Sequence, residues 1–288
     1  MKKSKLTKII TLSLAAVMVF GLAGCGGGGS DAEGEDITVI SREEGSGTRD
    51  AFTELTGVLE EDVDRTVDTA EISNSTSVVT QSVAGNTAAI GYISLGSLDD
   101  SVKALKVDGA EATVDNVKSG DYKLQRPFNI VTGGQVSELA QDFIDYIMSS
   151  DGQAVIEEEG YIMAKDDATA YEASGLSGTI TLAGSTSVSP VMEVLADKYK
   201  ELNSGVTIEI QQTGSGAGIQ STIEGVCDIG MASRELEEEE AAEGLESQAI
   251  ALDGIAVIVN SENSVEDLTT EQIMQIFIGE ITNWADVQ

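Results

Sequence analysis

The chain of 288 residues contains no histidine, two cysteines, two prolines and one tryptophan. Without histidine, the usual zinc clusters and the Ser-His and Cys-His nucleophile pairs are excluded. One cysteine, Cys25, falls in the N-terminal segment considered below, so Cys227 has no partner for an intramolecular disulfide. We therefore expect no disulfide framework, no metal and no cofactor, and none of the commoner hydrolase chemistries.

Basic residues are also scarce, since 16 Lys and Arg stand against 50 Asp and Glu, and the formal net charge is −34. Such a surface repels nucleic acid and anionic lipid headgroups, so we expect no nucleic-acid partner. Salt screens this repulsion beyond about 8–10 Å, which leaves room for a local anion site. Hydrophobic residues make up 41% of the chain, enough to form a core in one large or two modest domains.

Residues 1–24 are predicted to be a signal peptide. Four lysines precede the uncharged, mostly apolar run from Ile9 to Leu22, which is shorter than the ~20 residues that span a bilayer. The sequence Leu22-Ala23-Gly24-Cys25 resembles the bacterial lipobox, in which the cysteine is acylated and becomes the mature N-terminus. Residues 25–36 would then form a Gly-rich tether. The alternative is an ordinary secretion signal that happens to contain a cysteine.

Strand-like and helix-like segments alternate along the remaining chain. The predicted strands include 37–40, 88–95, 102–107, 127–131, 179–183, 206–210, 228–231 and 250–260, and the predicted helices include 49–55, 136–148, 191–202, 219–224 and 269–277. The polar segment 164–177 is predicted to be a linker, and 237–240 a solvated acidic helical turn. The alternation predicts an α/β fold with largely parallel sheets, in which ligands bind at the carboxyl ends of strands.

Three turns of Gly with Ser or Thr lie between a predicted strand and a predicted helix, at 45–48, 184–187 and 214–218. Glycine lets the backbone approach a ligand, hydroxyls donate hydrogen bonds, and helix N-termini present free N–H groups with partial positive charge. Arg42 can grip an oxyanion through charge-assisted bonds, with Glu44 holding its guanidinium. Helix capping explains each turn separately, but three such turns beside an arginine predict an anion site.

Ser233-Arg234 is a further candidate for anion contact, and the alternative is a surface arginine at a helix start.

Five motifs of the chain resemble those of the phosphate-binding proteins of phosphate ABC importers, in the periplasmic-binding-protein type 2 family. They are Arg42-Glu43-Glu44-Gly45-Ser46-Gly47-Thr48, Ala183-Gly184-Ser185-Thr186-Ser187-Val188-Ser189-Pro190, Thr213-Gly214-Ser215-Gly216-Ala217-Gly218, Cys227-Asp228-Ile229-Gly230-Met231-Ala232-Ser233-Arg234 and Ile281-Thr282-Asn283-Trp284. The resemblance implies a two-lobed α/β fold with a central cleft, and a lipoprotein that delivers inorganic phosphate to an importer without catalysis.

The resemblance also implies which residues contact phosphate. They are Arg42, Ser46, Gly47, Thr48, Thr186, Ser187 and Ser215, with Ser185, Ser233 and Arg234 as additional candidates. Some family members place an Asp after the Asp-Ile-Gly strand, where it accepts the proton of monohydrogen phosphate and so rejects sulfate, whereas this chain has Ser233 and Arg234 there. Glu235 or Glu44 is a possible substitute. Sulfate or molybdate therefore stays open as the ligand.

The motifs occur in an unusual order, because the family's Gly-Ser-Thr turn normally comes first and the Arg-x-x-Gly-Ser-Gly-Thr turn comes after the Asn-Trp segment. The resemblance then implies a circular permutation, in which the linker 164–177 joins the family's C-terminal part, 37–163, to its N-terminal part, 178–288. Lobe A would combine 37–127 with 250–288, and lobe B would be 128–249. A truncated tandem protein is the alternative.

The expected partners are inorganic phosphate, the membrane permease of an ABC importer, and the membrane through a lipid on Cys25. The expected protein is a monomer on the outer face of the bacterial cell membrane. Two further functions stay open: a hydrolase that uses a serine such as Ser46, and a sensor or adhesion protein that has lost transport.

Overall fold

The computed structural model describes residues 34–61 and 63–287. The predicted signal peptide, Cys25 and most of the predicted tether lie outside the described residues. Within the part that is described, no helix has the combination of length and apolar character needed to cross a membrane.

Fourteen strands and nine helices form in the described residues. The strands are β1 (Thr38–Arg42), β2 (Leu59–Glu60), β3 (Val63–Asp64), β4 (Glu71–Ser73), β5 (Ala89–Ser94), β6 (Val102–Ala104), β7 (Lys106–Val107), β8 (Gln125–Gly133), β9 (Ile162–Met163), β10 (Gly178–Gly184), β11 (Val206–Gln212), β12 (Ile229–Ala232), β13 (Leu245–Asn260) and β14 (Asp267–Leu268). The helices are α1 (Gly47–Thr56), α2 (Thr76–Ala84), α3 (Val114–Ser119), α4 (Glu138–Ile147), α5 (Ser150–Glu158), α6 (Ser189–Leu202), α7 (Ser215–Ile223), α8 (Glu238–Ala242) and α9 (Thr270–Phe277).

The main sheet is mixed, with its strands in the order β11-β10-β12-β8-β13-β5-β1-β4. The outer strands pair in parallel: β10 with β11 and β12, and β1 with β4 and β5. The central pairs β12–β8, β8–β13 and β13–β5 are antiparallel. The α/β class is confirmed, but the prediction of largely parallel sheets is wrong at the centre, because β8 and β13 carry the chain between the two ends of the sheet in opposite directions.

The two largest hydrophobic cores of the described residues lie toward opposite ends of these crossing strands. One contains buried residues from Val39 to Leu124 and from Ile255 to Trp284, and we call the part around it lobe A. The other contains buried residues from Phe128 to Ala251, and we call that part lobe B. The chain therefore passes from one core to the other twice, once along β8 and once along β13.

The two ends of the described chain lie side by side in lobe A. The Ile37 N–H donates to the Thr282 carbonyl at 2.8 Å, and the Trp284 N–H donates to the Glu35 carbonyl at 3.0 Å. The predicted linker 164–177 forms no helix or strand. It lies on lobe B, where the Tyr171 hydroxyl donates to an Asp142 carboxylate oxygen at 2.7 Å.

Candidate functional site

The three Gly-hydroxyl turns meet between the lobes. The Thr48 and Ser187 hydroxyl oxygens lie 2.9 Å apart, although Thr48 belongs to lobe A and Ser187 to lobe B. The Gly216 N–H donates to the Gly45 carbonyl at 3.0 Å across the same boundary. A Cβ atom on Gly47 would lie 2.5 Å from the Ser215 hydroxyl oxygen, so only glycine allows this approach. The turns thus form one site from segments that are distant in the sequence.

Arg42 closes one side of this site at the carboxyl end of β1. Its side chain is 2% exposed, and it donates from Nη2 to Thr186 Oγ1 at 3.1 Å across the lobes. Two of its nitrogens, Nε and Nη2, each donate to a Glu43 carboxylate oxygen at 2.8 Å. Glu43 therefore orients the guanidinium, and the prediction that Glu44 does so is wrong, because Glu44 lies one residue further into the turn and is exposed.

Thr76 joins the site from α2, a helix that the sequence analysis did not predict. Its hydroxyl oxygen lies 3.1 Å from that of Ser187 and 3.4 Å from that of Thr186. Ser75 caps the helix by accepting a hydrogen bond from the Val78 N–H. The run Ser73-Asn74-Ser75-Thr76-Ser77 carries the same hydroxyl-rich helix start as the three predicted turns, but it has no glycine. That run was the available signal for this residue.

Three serines close the other side. The Ser185 hydroxyl donates to Ser233 Oγ at 3.0 Å, and the Ser233 and Ser215 hydroxyl oxygens lie 3.3 Å apart. The oxygen of Ser185 also accepts from the N–H groups of Ser187 and Val188, which leaves its own proton to point toward Ser233. All three serines are buried.

We call these residues the hydroxyl cradle: Arg42, Gly47, Thr48, Thr76, Ser185, Thr186, Ser187, Ser215 and Ser233. Within the described chain, the cradle hydroxyls bond to one another, to Arg42 and to backbone N–H groups. The helices α1, α2, α6 and α7 all begin at or beside it. Their free N–H groups and dipoles favour negative charge at this point, so the cradle has the chemistry of an oxyanion site.

Two predicted contact residues have other roles in the structure. Ser46 is buried and caps α1, with its hydroxyl oxygen accepting from the Arg49 N–H. Arg234 lies outside the cradle because carboxylates take up its guanidinium: Nε pairs with Asp50 at 2.9 Å, and the two Nη atoms pair with Glu240 at 2.7 and 2.8 Å. Glu240 is only 17% exposed, so the predicted solvated acidic turn is wrong at this residue, whose carboxylate folds back onto Arg234.

A cavity of about 450 Å³ opens beside the cradle. Thr76 and Thr186 belong to its lining, together with further small polar residues such as Ser75, Ser77 and Ser97. Asp99 is the one acidic residue among its lining residues. The cavity therefore presents a mostly neutral, hydroxyl-lined surface next to two cradle residues, in a chain with a formal net charge of −34.

A buried ion pair joins the two crossing strands. Arg126 of β8 and Asp253 of β13 are each 2% exposed, with Nη2 and Oδ2 3.3 Å apart. The Ser94 hydroxyl donates to the second oxygen of Asp253 at 3.0 Å. Burial raises the pKa of Asp253 to about 6, although the charge of Arg126 opposes this shift.

Over the described residues, no group of three or more His, Cys, Asp or Glu side chains is arranged to hold a metal ion.

Comparison with known proteins identifies the family of the chain. The PBP superfamily domain matches residues 29–151 and 169–288. The chain is 51% identical to phosphate-binding protein PstS 2 of Streptococcus agalactiae, over 100% of this chain and 99% of that protein. With phosphate-binding protein PstS of Bacillus subtilis it shares 34% identity over 113 residues, which is 38% of each chain.

A solved phosphate-binding protein of a phosphate ABC transporter from Streptococcus pneumoniae has the same fold. Its TM-score is 0.71 at 50% identity, over 88% of this chain and 100% of that one. The resemblance seen in the motifs and the two-lobed fold are confirmed. On these grounds the chain belongs to the PBP superfamily and, within it, to the PstS phosphate-binding proteins.

Proposed function

We propose that this protein binds inorganic phosphate and delivers it to the membrane permease of an ABC importer. The hydroxyl cradle carries the proposal, because it brings an arginine, several hydroxyls and the starts of four helices together between two lobes. The full-length relative from S. agalactiae and the solved structure from S. pneumoniae are both phosphate-binding proteins, which supports phosphate as the ligand.

The ligand would be held by groups of both lobes. Lobe A contributes Arg42, Thr48 and Thr76, and the free N–H groups at the start of α1, including those of Gly47 and Thr48. Lobe B contributes hydroxyls from the turns that precede α6 and α7. Because the donors come from both lobes, anion binding would stabilise the closed cleft, as in other hinge-bending binding proteins. Ser46 would contribute by capping α1, and Arg234 is left out of this contact set.

Selectivity between phosphate and sulfate depends on which group of the site accepts a proton from the ligand. Monohydrogen phosphate brings a proton that needs an acceptor, whereas sulfate brings none. In the described residues no carboxylate is hydrogen-bonded to a cradle hydroxyl, but each hydroxyl can accept as well as donate. Sulfate or molybdate is therefore the second candidate ligand, and the absence of a bonded carboxylate is the observation that favours it.

Isothermal titration calorimetry with phosphate, sulfate and molybdate separates these candidates. We expect saturable phosphate binding at micromolar concentrations and weaker binding of the other two anions. A protein that binds sulfate or molybdate but not phosphate would shift the assignment to the second candidate. A protein that binds none of the three would overturn the proposed function.

We propose that the site performs no catalysis. Ser46 is the serine that a hydrolase would use, but its oxygen accepts from the Arg49 N–H in a helix cap, and the described structure shows no base bonded to it. Hydrolysis of p-nitrophenyl phosphate that disappears in Ser46→Ala would contradict this part of the proposal.

We propose that the protein is a monomer on the outer face of the cell membrane, held there by a lipid on Cys25. The lysine-rich head, the short apolar run and the small residues before the cysteine support export and acylation. Residues 25–36 would form the tether, and multiple acyl chains would make the attachment stable.

We also propose the circular permutation. The S. agalactiae relative aligns over its whole length, whereas the B. subtilis protein shares one stretch of 113 residues, as expected if two groups of relatives differ in segment order. Residues 35–37 and 282–284 are hydrogen-bonded to each other, so the two segments that the permutation separates are adjacent in space. The proposed lobes are 37–127 with 250–288, and 128–249, with 164–177 as the linker.

Reordering the chain tests this proposal. A variant in which 178–287 precedes 37–163, with a short flexible connection, should fold and bind phosphate with the affinity of the natural order. A reordered chain that folds but binds no phosphate, while the natural order binds it, would contradict the permutation.

A further inference from the structure

Arg234 and Asp50 form an ion pair across the cleft, just outside the cradle. Arg234 follows Ser233 directly in lobe B, and Asp50 lies two residues after Thr48, in the first turn of α1 in lobe A. The Nε atom of Arg234 donates to Asp50 Oδ2 at 2.9 Å. The pair therefore ties the helix that presents the Gly47 turn to the strand end that presents Ser233.

Lobe B holds the guanidinium in position without help from lobe A. Both Nη atoms pair with the Glu240 carboxylate, and Nη1 also donates to the Glu235 carbonyl at 2.9 Å. Glu240 itself is fixed, because its carboxylate accepts from the Glu237 N–H in the capping box of α8. All these partners belong to lobe B and stay together when the cleft opens. Only the bond from Nε to Asp50 depends on closure.

The other ion pairs of the described residues do not share this dependence. They lie within one lobe, such as Lys103–Glu266 in lobe A, or join the crossing strands, as Arg126–Asp253 does. Opening the cleft would leave those pairs intact. The Arg234–Asp50 pair is thus the ionic contact whose formation reports on closure.

The pair is partly shielded from water, which sets the size of its effect. The Arg234 side chain is 10% exposed and that of Asp50 35% exposed. Burial raises the pKa of Asp50 while the charge of Arg234 lowers it, so desolvation offsets part of the attraction. Charge pairs with this exposure contribute modestly, and we expect an effect of about fivefold on phosphate affinity.

We propose that Arg234 and Asp50 are positioning residues that prolong the closed state and so slow the release of the bound oxyanion. The proposal rests on the proposed binding function. Neither residue touches the anion in this arrangement, and both act by holding the start of α1 against Ser233. A contact that forms after the anion has entered an open cleft changes the dissociation rate more than the association rate.

The substitution Asp50→Asn tests the proposal with little risk to folding, because Asp50 is partly exposed. Glu266→Gln is the matched control, since it removes a carboxylate from an ion pair that lies within lobe A. We expect Asp50→Asn to raise the Kd for inorganic phosphate about fivefold, through faster dissociation of radiolabelled phosphate in rapid filtration. The control should match the wild type.

A double-variant cycle with Arg234→Gln separates the pair from a general structural effect. If the pair acts as one unit, Asp50→Asn should add little to a protein that already carries Arg234→Gln. Arg234→Lys, which keeps the charge, should recover part of the lost affinity. Additive effects, an unchanged dissociation rate in Asp50→Asn, or a loss confined to the association rate would each overturn the proposal.

Small-angle X-ray scattering keeps this result distinct from a failure of the proposed function. If wild-type protein gives no heat with phosphate, the binding function fails. If the wild type does bind phosphate, scattering of the phosphate-saturated proteins adds a test of the pair, because saturated Asp50→Asn should have a larger radius of gyration than saturated Glu266→Gln if the pair holds the lobes together. Equal radii for the two saturated variants, beside normal phosphate binding by the wild type, would overturn the proposal and leave the binding function intact.

Discussion

Thr48 and Ser187 are 139 residues apart in the sequence, and their hydroxyl oxygens are 2.9 Å apart across the cleft. This contact joins the start of α1 to the turn before α6. An anion site built from separate turns requires such proximity, because all the turns must reach the same ion. A structure with these turns on remote faces would have ruled out the site, since no single tetrahedral ion can contact both.

Arg42→Ala should weaken phosphate binding about a hundredfold, because it removes the cationic donor of the cradle and charge-assisted hydrogen bonds are the strongest of their kind. Glu238→Ala is the control, since Glu238 is an exposed acidic residue of α8. Titration calorimetry on both variants gives the comparison. Equal losses would show that Arg42 has no special part in anion binding.

Thr76→Val should raise the Kd about tenfold, because valine keeps the shape of threonine and removes one hydrogen-bonding group from the cradle. Thr80→Val makes the same chemical change one turn later in α2, where the hydroxyl donates to the Thr76 carbonyl within the helix. We expect phosphate affinity close to wild type in this control. Wild-type affinity in Thr76→Val would remove Thr76 from the site.

Gly47→Ala should abolish tight phosphate binding while the protein stays folded. The added Cβ would lie 2.5 Å from Ser215 Oγ and 2.9 Å from Ser233 Oγ, so the lobes cannot close to the observed distance. Gly85→Ala is the control, because Gly85 is exposed and the atoms nearest to the added Cβ would be the carbonyl oxygens of Gln81 at 3.3 Å and Ser82 at 3.7 Å, outside the cradle. Calorimetry measures binding and circular dichroism measures folding; tight binding by Gly47→Ala would show that closure tolerates the extra atom.

Asp253 should make the stability of the protein depend on pH between about 4 and 6. Its pKa is about 6 in the folded protein against 3.8 for the ordinary group, so the folded state binds this proton more tightly than the unfolded state. Its contribution therefore favours folding at low pH and is lost as the pH rises through this window, by up to about 3 kcal/mol.

Asp253→Asn removes that titration. The free energy of unfolding of the variant, measured in urea at several pH values, should rise relative to that of the wild type between about pH 4 and 6. Replacing one member of a buried ion pair with a neutral group of the same shape makes this comparison direct. Two stability curves that run parallel across this range would contradict the prediction.

Cys25→Ser should release the protein from membranes, because it removes the thiol that the lipid would modify. Fractionation of cells that produce either form measures the result. Cys227→Ser is the control, since Cys227 is buried in lobe B and is expected to leave the membrane fraction unchanged. Continued retention of the Cys25 variant in membranes would contradict lipid anchoring.

Local features were predictable because they depend on neighbouring residues. The strand at 179–183, the helix at 191–202 and the helix at 269–277 were predicted within a few residues of their observed bounds. Their apolar spacing and end signals lie within the segments themselves. The helix predicted at 219–224 begins earlier than expected, at Ser215. Gly214, the residue before it, has a φ of +90°, and the helical conformation begins directly after this turn.

Features that depend on distant partners were missed or misassigned. Thr76 follows a hydroxyl-rich turn without glycine, which is a weaker signal than the three predicted turns carry, and its contacts with Thr186 and Ser187 place it in the cradle. Arg234 follows the right strand for an anion contact, but the Asp50 and Glu240 carboxylates compete for its guanidinium. Neither partner is apparent from the residues around Arg234.

The sequence alone excluded histidine chemistry and predicted the α/β class, the family resemblance and most of the residues of the cradle. These features follow from composition and from short motifs, which depend only on neighbouring residues. Only the tertiary structure decided the antiparallel centre of the sheet and the contribution of Thr76 to the cradle. It also decided the hydrogen bonds from Arg42 to Glu43 and the ion pair between Arg234 and Asp50. Each of these is a contact between atoms whose separation depends on how the chain crosses between two lobes, and side-chain hydrogen bonds form only at that final distance.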